Sequence, residues 1–206
     1  MAVHSFLWGE NLLKKNKPKY KQIIDAAVVV IAENGYHQAQ VSKIAKQAGV
    51  ADGTIYLYFK NKEDILISLF EEKMGEFIDK IKDEIKEVHQ ASDKLFVLIQ
   101  KHFEMMSGDR HLAVVTQLEL RQSNKELRLR INAVLKGYLV LVDQIIQEGI
   151  KTGEFTSVMN VKLARQMIFG TLDEIVTSWI MNDQKYDLHN LAEEVHDLLI
   201  AGLTKK

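Results

Sequence analysis

An all-α fold is predicted by three features of this sequence. Its 206 residues contain a single proline, Pro18, where average usage of about 5% would give roughly ten. The 11 glycines are scattered and do not recur at the short intervals that strands and their turns require. Apolar residues recur at helical spacing along most of the chain. With 47% hydrophobic and 27% charged residues, the composition is that of a folded globular protein.

Three short helices are predicted in the N-terminal part of the chain. The first begins at Pro18, because proline suits a first helical turn, and ends at Gly35. The second runs from Val41 to Gly49, and Asp52 is expected to cap the third. Very short turns separate the three helices, so they form one compact module.

From Asn61 onward the pattern is helical for almost its whole length. Asn61 is expected to cap a long helix that carries Glu63 and Asp64 in its first turn, where the helix dipole favours acidic side chains. Breaks rich in Ser, Asn, Asp and Gly delimit helices near 61–88, 92–106, 110–122, 124–151, 160–182 and 188–203. We therefore predict an extension at 1–17, a three-helix module at 18–64 and a helical bundle at 65–206.

Several classes of protein are excluded by composition. The chain has no cysteine, which rules out disulfide scaffolds, thiolate metal sites and cysteine nucleophiles. No stretch approaches 18 uninterrupted apolar residues, so no membrane segment is expected. The apolar start lacks the basic flank of a signal peptide. We expect a cytoplasmic protein without a membrane partner.

The charge of the chain is unevenly distributed. Residues 1–64 hold nine lysines against six acidic residues, whereas the rest holds 18 basic and 22 acidic residues. Five lysines and no acidic residue lie between Lys14 and Lys21. Such a basic arm suggests a polyanionic partner, and a solvated tail is the alternative.

The segment from Val41 to Phe59 carries the strongest functional signal. Two short helices flank a turn at Gly49, which is the arrangement of a helix-turn-helix whose second helix enters the major groove of DNA. Thr54, Tyr56 and Tyr58 cannot all be core residues, because side chains two positions apart on a helix point in different directions. A helical hairpin with incidental aromatic residues is the alternative.

Contacts to DNA are assigned to the polar residues of this module. Phosphate contacts are expected from Gln40, Ser42, Lys43, Thr54, Tyr56, Tyr58 and Lys62, and from Lys19 and Tyr20 on a flanking phosphate. Gly53 lets the backbone approach closely. Asp52 either accepts from a cytosine amino group or caps its helix, and the cap is the favoured interpretation.

At these residues the chain resembles the TetR family of transcriptional repressors. The likeness covers about 45 residues, from Ile23 through Gly35, Val41, Ile44-Ala45, Ala48-Gly49-Val50, Gly53-Thr54-Ile55-Tyr56, Tyr58-Phe59, Lys62-Glu63 and Leu66. It implies a DNA-binding domain followed by a ligand-binding bundle that dimerises through its last two helices, and hence a palindromic operator. Gln40 stands where the family often has threonine, and glutamine is a weaker cap.

Polar residues interrupt the apolar faces of the bundle at three places. His102 lies in a stripe with Leu98 and Met106, whereas Gln117 and Arg121 share a face with Leu118. Asp173 shares a face with Phe169 on the helix near 160–182. Because a buried charge is costly unless it is paired, Arg121 and Asp173 each need a partner or a wet cavity. We predict a ligand pocket among these helices, with satisfied core residues as the alternative.

The C-terminal half resembles one branch of the family, the repressors of fatty-acid degradation in Gram-positive bacteria. The similar segments are 118–124, 164–171 and 179–188. This branch implies release from the operator by long-chain acyl-CoA. Residues that are compatible with an apolar tube for the acyl tail are Leu98, Phe103, Met106, Leu118, Leu139, Phe169, Leu172 and Trp179. Arg121, Lys125, Arg128, Arg130 and Arg165 are candidates for the phosphates of the ligand.

The remaining expectations concern assembly and rival functions. Met167, Gly170 and Thr171 on one helix, and a stripe of Leu191, Val195, Leu198 and Leu199 on the last, are expected to form a two-fold interface. A di-iron enzyme would need two Glu-x-x-His motifs, and only Glu193-x-x-His196 is present. We therefore predict no catalytic residue, metal or cofactor. A repressor that responds to another hydrophobic effector, such as a drug, is the alternative.

Overall fold

A computed structural model describes residues 18–204. Within that range the chain forms nine α-helices and one short 3-10 turn at His189–Leu191, and no strand. The predicted all-α fold is confirmed. The predicted extension 1–17, which carries Lys14, Lys15 and Lys17 of the basic run, lies outside the described residues. The chain divides into two compact units, and the boundary follows Glu72.

The first unit contains α1 (Pro18–Gln38), α2 (Val41–Gln47), α3 (Asp52–Ile55) and the start of α4 (Lys62–Ile85). Gly35 interrupts the helical backbone of α1 with a φ of 72°, a left-handed conformation that glycine adopts without steric cost. The helical backbone is therefore interrupted at Gly35, where the sequence predicts the end of the first helix. Asn61 caps α4, because its Oδ1 accepts the Asp64 N–H at 2.8 Å. The core of the unit is formed by Ile23, Ile24, Ile31, Ile44, Ile55, Phe59, Ile65 and Leu66.

The second unit is built around one central helix. It contains the rest of α4 with α5 (Ala91–Gly108), α6 (Arg110–Glu119), α7 (Lys125–Thr152), α8 (Val161–Met181) and α9 (Ala192–Leu203). Helix α5 packs against α6, α7, α8 and α9, so its buried face contributes to most of the core. No helix within residues 18–204 combines the length and hydrophobicity needed to cross a bilayer.

Residues with short polar side chains cap the N-terminal ends of three helices in this bundle. Asp109, Asn124 and Asn160 each accept the backbone N–H three residues later and so cap α6, α7 and α8. Helix α7 ends at Gly153, which adopts a φ of 84°. Near this end the Phe155 ring lies directly against Gly149, where an added Cβ would overlap it.

Candidate functional site

Helices α2 and α3 are joined by a tight turn. Gly49 has a φ of 63°, and the Val50 N–H donates to the Ala45 carbonyl oxygen at 3.0 Å. A residue with a Cβ is disfavoured at this φ, which explains why glycine occupies the turn. The arrangement of the two helices is that of a helix-turn-helix, as the sequence predicts.

The ends of these helices correct one expectation. Ala51, and not Asp52, is the capping position of α3, and the first backbone bond of the helix runs from the Thr54 N–H to the Ala51 oxygen at 2.8 Å. The preferred interpretation of Asp52 as a cap is therefore wrong. Asp52 lies one residue inside the helix with an exposed side chain. Gln40 precedes α2 and makes no side-chain capping bond, consistent with its weak capping ability.

The end of α3 and the turn that follows it present polar and apolar groups to solvent. Tyr56 is 58% exposed, and Thr54 and Tyr58 are half-buried, whereas Ile55 is fully buried. Leu57 is 67% exposed, a residue that the sequence analysis did not select. Its signal was available, because Leu57 lies between Tyr56 and Tyr58 in the same segment. Lys19, Gln40, Ser42, Lys43 and Gly53 are also exposed.

Tyr20 and Lys62 are held inside the module. Tyr20 is 3% exposed and its ring stacks on Phe59 with centroids 5.1 Å apart, so the expected phosphate contact from Tyr20 is wrong. The Lys62 ammonium donates to the carbonyl oxygens of Tyr36 and His37 at 2.9 and 3.0 Å, and it lies 4.6 Å from the Tyr36 ring centroid. Two of its three N–H donors are thus used within the protein.

In the second unit, His102 forms a buried polar pair with Tyr138. The His102 Nδ1 lies 3.1 Å from the Tyr138 hydroxyl oxygen. Burial lowers the pKa of His102 to about 4, and burial also raises the pKa of the Tyr138 hydroxyl. Both groups are therefore uncharged near neutral pH.

Arg121 and Asp173, which the sequence predicts to need a partner or a wet cavity, are paired with each other. Their side chains form an ion pair, and Arg121 also donates to the Gln117 carbonyl oxygen at 3.2 Å. The Gln117 side-chain oxygen accepts the Thr177 hydroxyl at 3.0 Å. Asp173 and Gln117 are buried, whereas the Arg121 side chain is 59% exposed. The cluster connects α6 to α8 at the surface of the bundle.

The residues proposed to line an acyl tube are mostly packed against each other. Leu98, Phe103, Met106, Leu172 and Trp179 are buried in one core, and Leu139 and Phe169 are half-buried against it. The Trp179 indole N–H donates to the Tyr186 carbonyl oxygen at 2.7 Å. Leu118 is 47% exposed and does not line this interior, which corrects its assignment.

Like Arg121, two further arginines assigned to the ligand phosphates are bonded to protein groups. Arg165 forms an ion pair with Asp143 at 2.7 Å. Arg128 donates to the carbonyl oxygens of Gln122 and Ser123 at 3.0 and 3.3 Å and so ties down the turn before α7. Arg165 would have to leave Asp143 to contact a phosphate.

An open cleft of about 850 Å³ lies between α4 and α5, with its end at the start of α6. Phe77, Met105 and Leu112 supply its apolar part. Its charged lining residues are Lys73, Lys80, Lys101, Glu76, Asp83, Glu84, Glu104 and Asp109. Acidic residues outnumber basic ones here, and Lys101 is already paired with Glu84 and Glu104.

The lone Glu193-x-x-His196 motif has a structural role. The His196 Nε2 lies 3.1 Å from the Ser92 carbonyl oxygen and 3.2 Å from its hydroxyl, which ties α9 to the start of α5. In the described part of the chain, no group of three His, Asp or Glu side chains is arranged to hold a metal ion.

Comparison with known proteins assigns a family to both units. Residues 23–69 match the bacterial regulatory proteins of the tetR family, and residues 70–202 match the C-terminal region of YsiA-like proteins. The chain belongs to the tetR family. The resemblance stated from the sequence is confirmed. The fatty acid metabolism regulator protein of Bacillus subtilis is 66% identical over 194 residues, which are 94% of this chain and 100% of that protein.

Two solved structures superpose closely on this chain, each with a TM-score of 0.87 over 89% of this chain and 99% of its own. One is the fatty acid degradation regulator FadR from Bacillus halodurans, at 64% identity. The other is the transcriptional regulator FadR from Bacillus subtilis in complex with stearoyl-CoA, at 67% identity. These relatives are regulators and not enzymes, in agreement with the prediction for this chain.

Proposed function

We propose that this protein is a repressor of fatty-acid degradation genes that binds operator DNA as a homodimer and is released by long-chain acyl-CoA. The observation that carries the proposal is the stearoyl-CoA complex of the Bacillus subtilis regulator, which shares 67% identity and the same fold over nearly its whole length. Because its target is bacterial DNA, the protein acts in the cytoplasm.

The exposed polar residues of the helix-turn-helix contact the operator. The hydroxyls of Thr54, Tyr56 and Tyr58 donate hydrogen bonds to phosphate oxygens. Lys62 donates its remaining N–H in the same way. Lys19, Gln40, Ser42 and Lys43 lie at the surface and extend this contact. Exposed Asp52, Gly53 and Leu57 lie closest to the bases, where leucine packs on a thymine methyl group.

The acyl tail binds within the core of the second unit. Leu98, Phe103, Leu172 and Trp179 have almost no exposed surface, so they must separate to admit an alkyl chain. Burying about fifteen methylenes at roughly 0.8 kcal/mol each gives a gross gain near 12 kcal/mol, which can offset that rearrangement. Met106 is suited to a chain of variable length because its side chain is flexible.

The homodimer forms through α8 and α9. Leu163, Met167 and Met181 are exposed on one face of α8, and Leu198 is 70% exposed on α9. Gly202 of α9 lies beside Met167, so the two apolar faces adjoin. Val195 and Leu199, which the sequence analysis placed in the interface, are buried in the core of the protein itself. A two-fold interface then demands a palindromic operator.

The proposal is tested by operator release in a fluorescence anisotropy titration. Stearoyl-CoA should release the operator, whereas free CoA and acetyl-CoA should not, because only the long tail gains the burial energy. A coupling of 1–3 kcal/mol corresponds to a roughly 5–150-fold loss of operator affinity. Equal potency of the two-carbon and eighteen-carbon chains would contradict an apolar tail site. No release by any acyl-CoA would indicate another effector, such as a drug.

A further inference from the structure

A buried nitrogen of His102 has no hydrogen-bond partner. His102 is 4% exposed, and the rings of Phe77, Phe103 and Tyr138 lie around it at centroid distances of 5.9, 6.1 and 5.8 Å. Its Nδ1 contacts the Tyr138 hydroxyl, whereas its Nε2 has no partner within residues 18–204. Buried polar atoms are almost always paired, because an unmade hydrogen bond costs the full desolvation of the group.

The tautomer of His102 follows from the hydrogen bonds available to the pair. If Nδ1 carried the hydrogen and donated to Tyr138, both the Tyr138 hydroxyl hydrogen and the Nε2 lone pair would lack partners. If the Tyr138 hydroxyl donates to Nδ1, only the Nε2–H remains unpaired. The second arrangement leaves fewer unmet bonds. His102 therefore presents a neutral, desolvated N–H donor.

Phe77 connects this donor to the open cleft between α4 and α5. The Phe77 ring forms part of the cleft wall, meets His102 edge-on and stacks on Tyr138 at a centroid distance of 5.6 Å. The acidic excess of the cleft does not suit phosphates. The cleft can accept a neutral chain with amide groups. The pantetheine arm, which separates the thioester of an acyl-CoA from its phosphates, is such a chain.

We infer that the His102 Nε2–H binds the carbonyl oxygen of the acyl thioester, with the pantetheine arm in the cleft beside Phe77 and the acyl tail directed toward Leu98 and Met106. This inference rests on the proposed function and places the polar end of the ligand. Tyr138 acts as a positioning residue, since its hydroxyl holds His102 in the tautomer that donates.

The test compares stearoyl-CoA with S-octadecyl-CoA, in which a methylene replaces the carbonyl, by calorimetric titration of the full-length protein. The wild type should bind the thioester about tenfold more tightly than the thioether, because the latter leaves the N–H unpaired. His102→Leu should bind both equally, Tyr138→Phe should reduce the ratio, and His102→Gln, which keeps an N–H donor, should partly restore it. The matched control is His89→Leu at an exposed position, which should keep the full ratio.

A second measurement uses the unmodified protein and does not depend on the folding of a variant. In ¹⁵N-labelled protein, the His102 Nε2–H proton resonance should move downfield with stearoyl-CoA and stay nearly unchanged with S-octadecyl-CoA, which has no carbonyl oxygen to accept the bond. Equal binding of the two CoA compounds by the wild type, or the full ratio in His102→Leu, would overturn the inference even if stearoyl-CoA releases the operator. Failure of stearoyl-CoA to release the operator would instead overturn the proposed function.

Discussion

The two units of the chain differ in where their polar residues lie. In the first unit, Tyr56, Ser42 and Lys43 are exposed, and they belong to a short motif whose spacing is local in sequence. In the second unit, His102, Asp173 and Gln117 are buried and bonded to partners tens of residues away. Under the proposed function, the first set can meet a rigid external partner as it stands, whereas the second set would have to exchange internal bonds to admit one.

The largest expected effect concerns acid stability of the second unit. Burial lowers the pKa of His102 to about 4 from 6.5, so between these pH values the unfolded chain binds a proton that the native state does not. The contribution of neutral His102 to the unfolding free energy is fully present above pH 6.5. It should fall by about 3 kcal/mol as the pH drops to 4. Urea unfolding across this range measures the loss.

The control for this effect is His102→Phe, which cannot titrate. Its unfolding free energy should change less over the same pH range, and the difference between the two curves isolates His102. Burial raises the pKa of Glu154, but hydrogen bonds from the Ser92 and Ala91 N–H groups outweigh burial, so the pKa is lowered overall. The contribution of Glu154 to stability is therefore lost at a lower pH than that of His102. Parallel curves for the wild type and His102→Phe would show that His102 is not desolvated.

The second effect probes packing in the same unit. Gly149→Ala should destabilise the protein by about 1–3 kcal/mol, because the new Cβ overlaps the Phe155 ring. The matched control is Gly75→Ala in α4, where no atom of residues 18–204 lies within 4 Å of the added Cβ and alanine favours the helix. Thermal unfolding of the two variants should therefore give shifts of opposite sign. A neutral Gly149→Ala would mean that Phe155 moves away without cost.

The same contrast explains what the sequence could predict. Helix bounds and the helix-turn-helix depend on caps, glycines and periodicity within a few residues, so Gly35, Gly49 and Asn61 could be assigned directly. The pairing of Arg121 with Asp173 depends on how α6 and α8 pack, and sequence showed only that each needed a partner. Tyr20 was misassigned because an aromatic ring with a hydroxyl suits both a core and a phosphate, and only packing decides.

The third effect tests the exposed surface of the first unit. Tyr56→Phe should weaken operator binding by about 0.5–1.5 kcal/mol, the contribution of one hydrogen bond, without changing the Tm, because Tyr56 is largely exposed. Anisotropy and thermal melts measure the two quantities. Tyr20→Phe is the paired control, since its buried ring should leave operator binding unchanged. An unchanged operator affinity of Tyr56→Phe would show that this hydroxyl does not contact the operator.

The smallest expected effect separates two roles of Lys62. Its ammonium bonds to the Tyr36 and His37 carbonyl oxygens, so Lys62→Ala should lower the unfolding free energy by about 0.5–1 kcal/mol without DNA. If its remaining N–H meets a phosphate, the log–log salt dependence of operator binding also becomes shallower by about 1. Lys19→Ala, at an exposed position, should change the salt slope and leave the Tm unaltered. A stable Lys62→Ala variant would show that its two carbonyl bonds contribute nothing. An unchanged salt slope would show that Lys62 is structural alone, because only a phosphate contact releases a counterion.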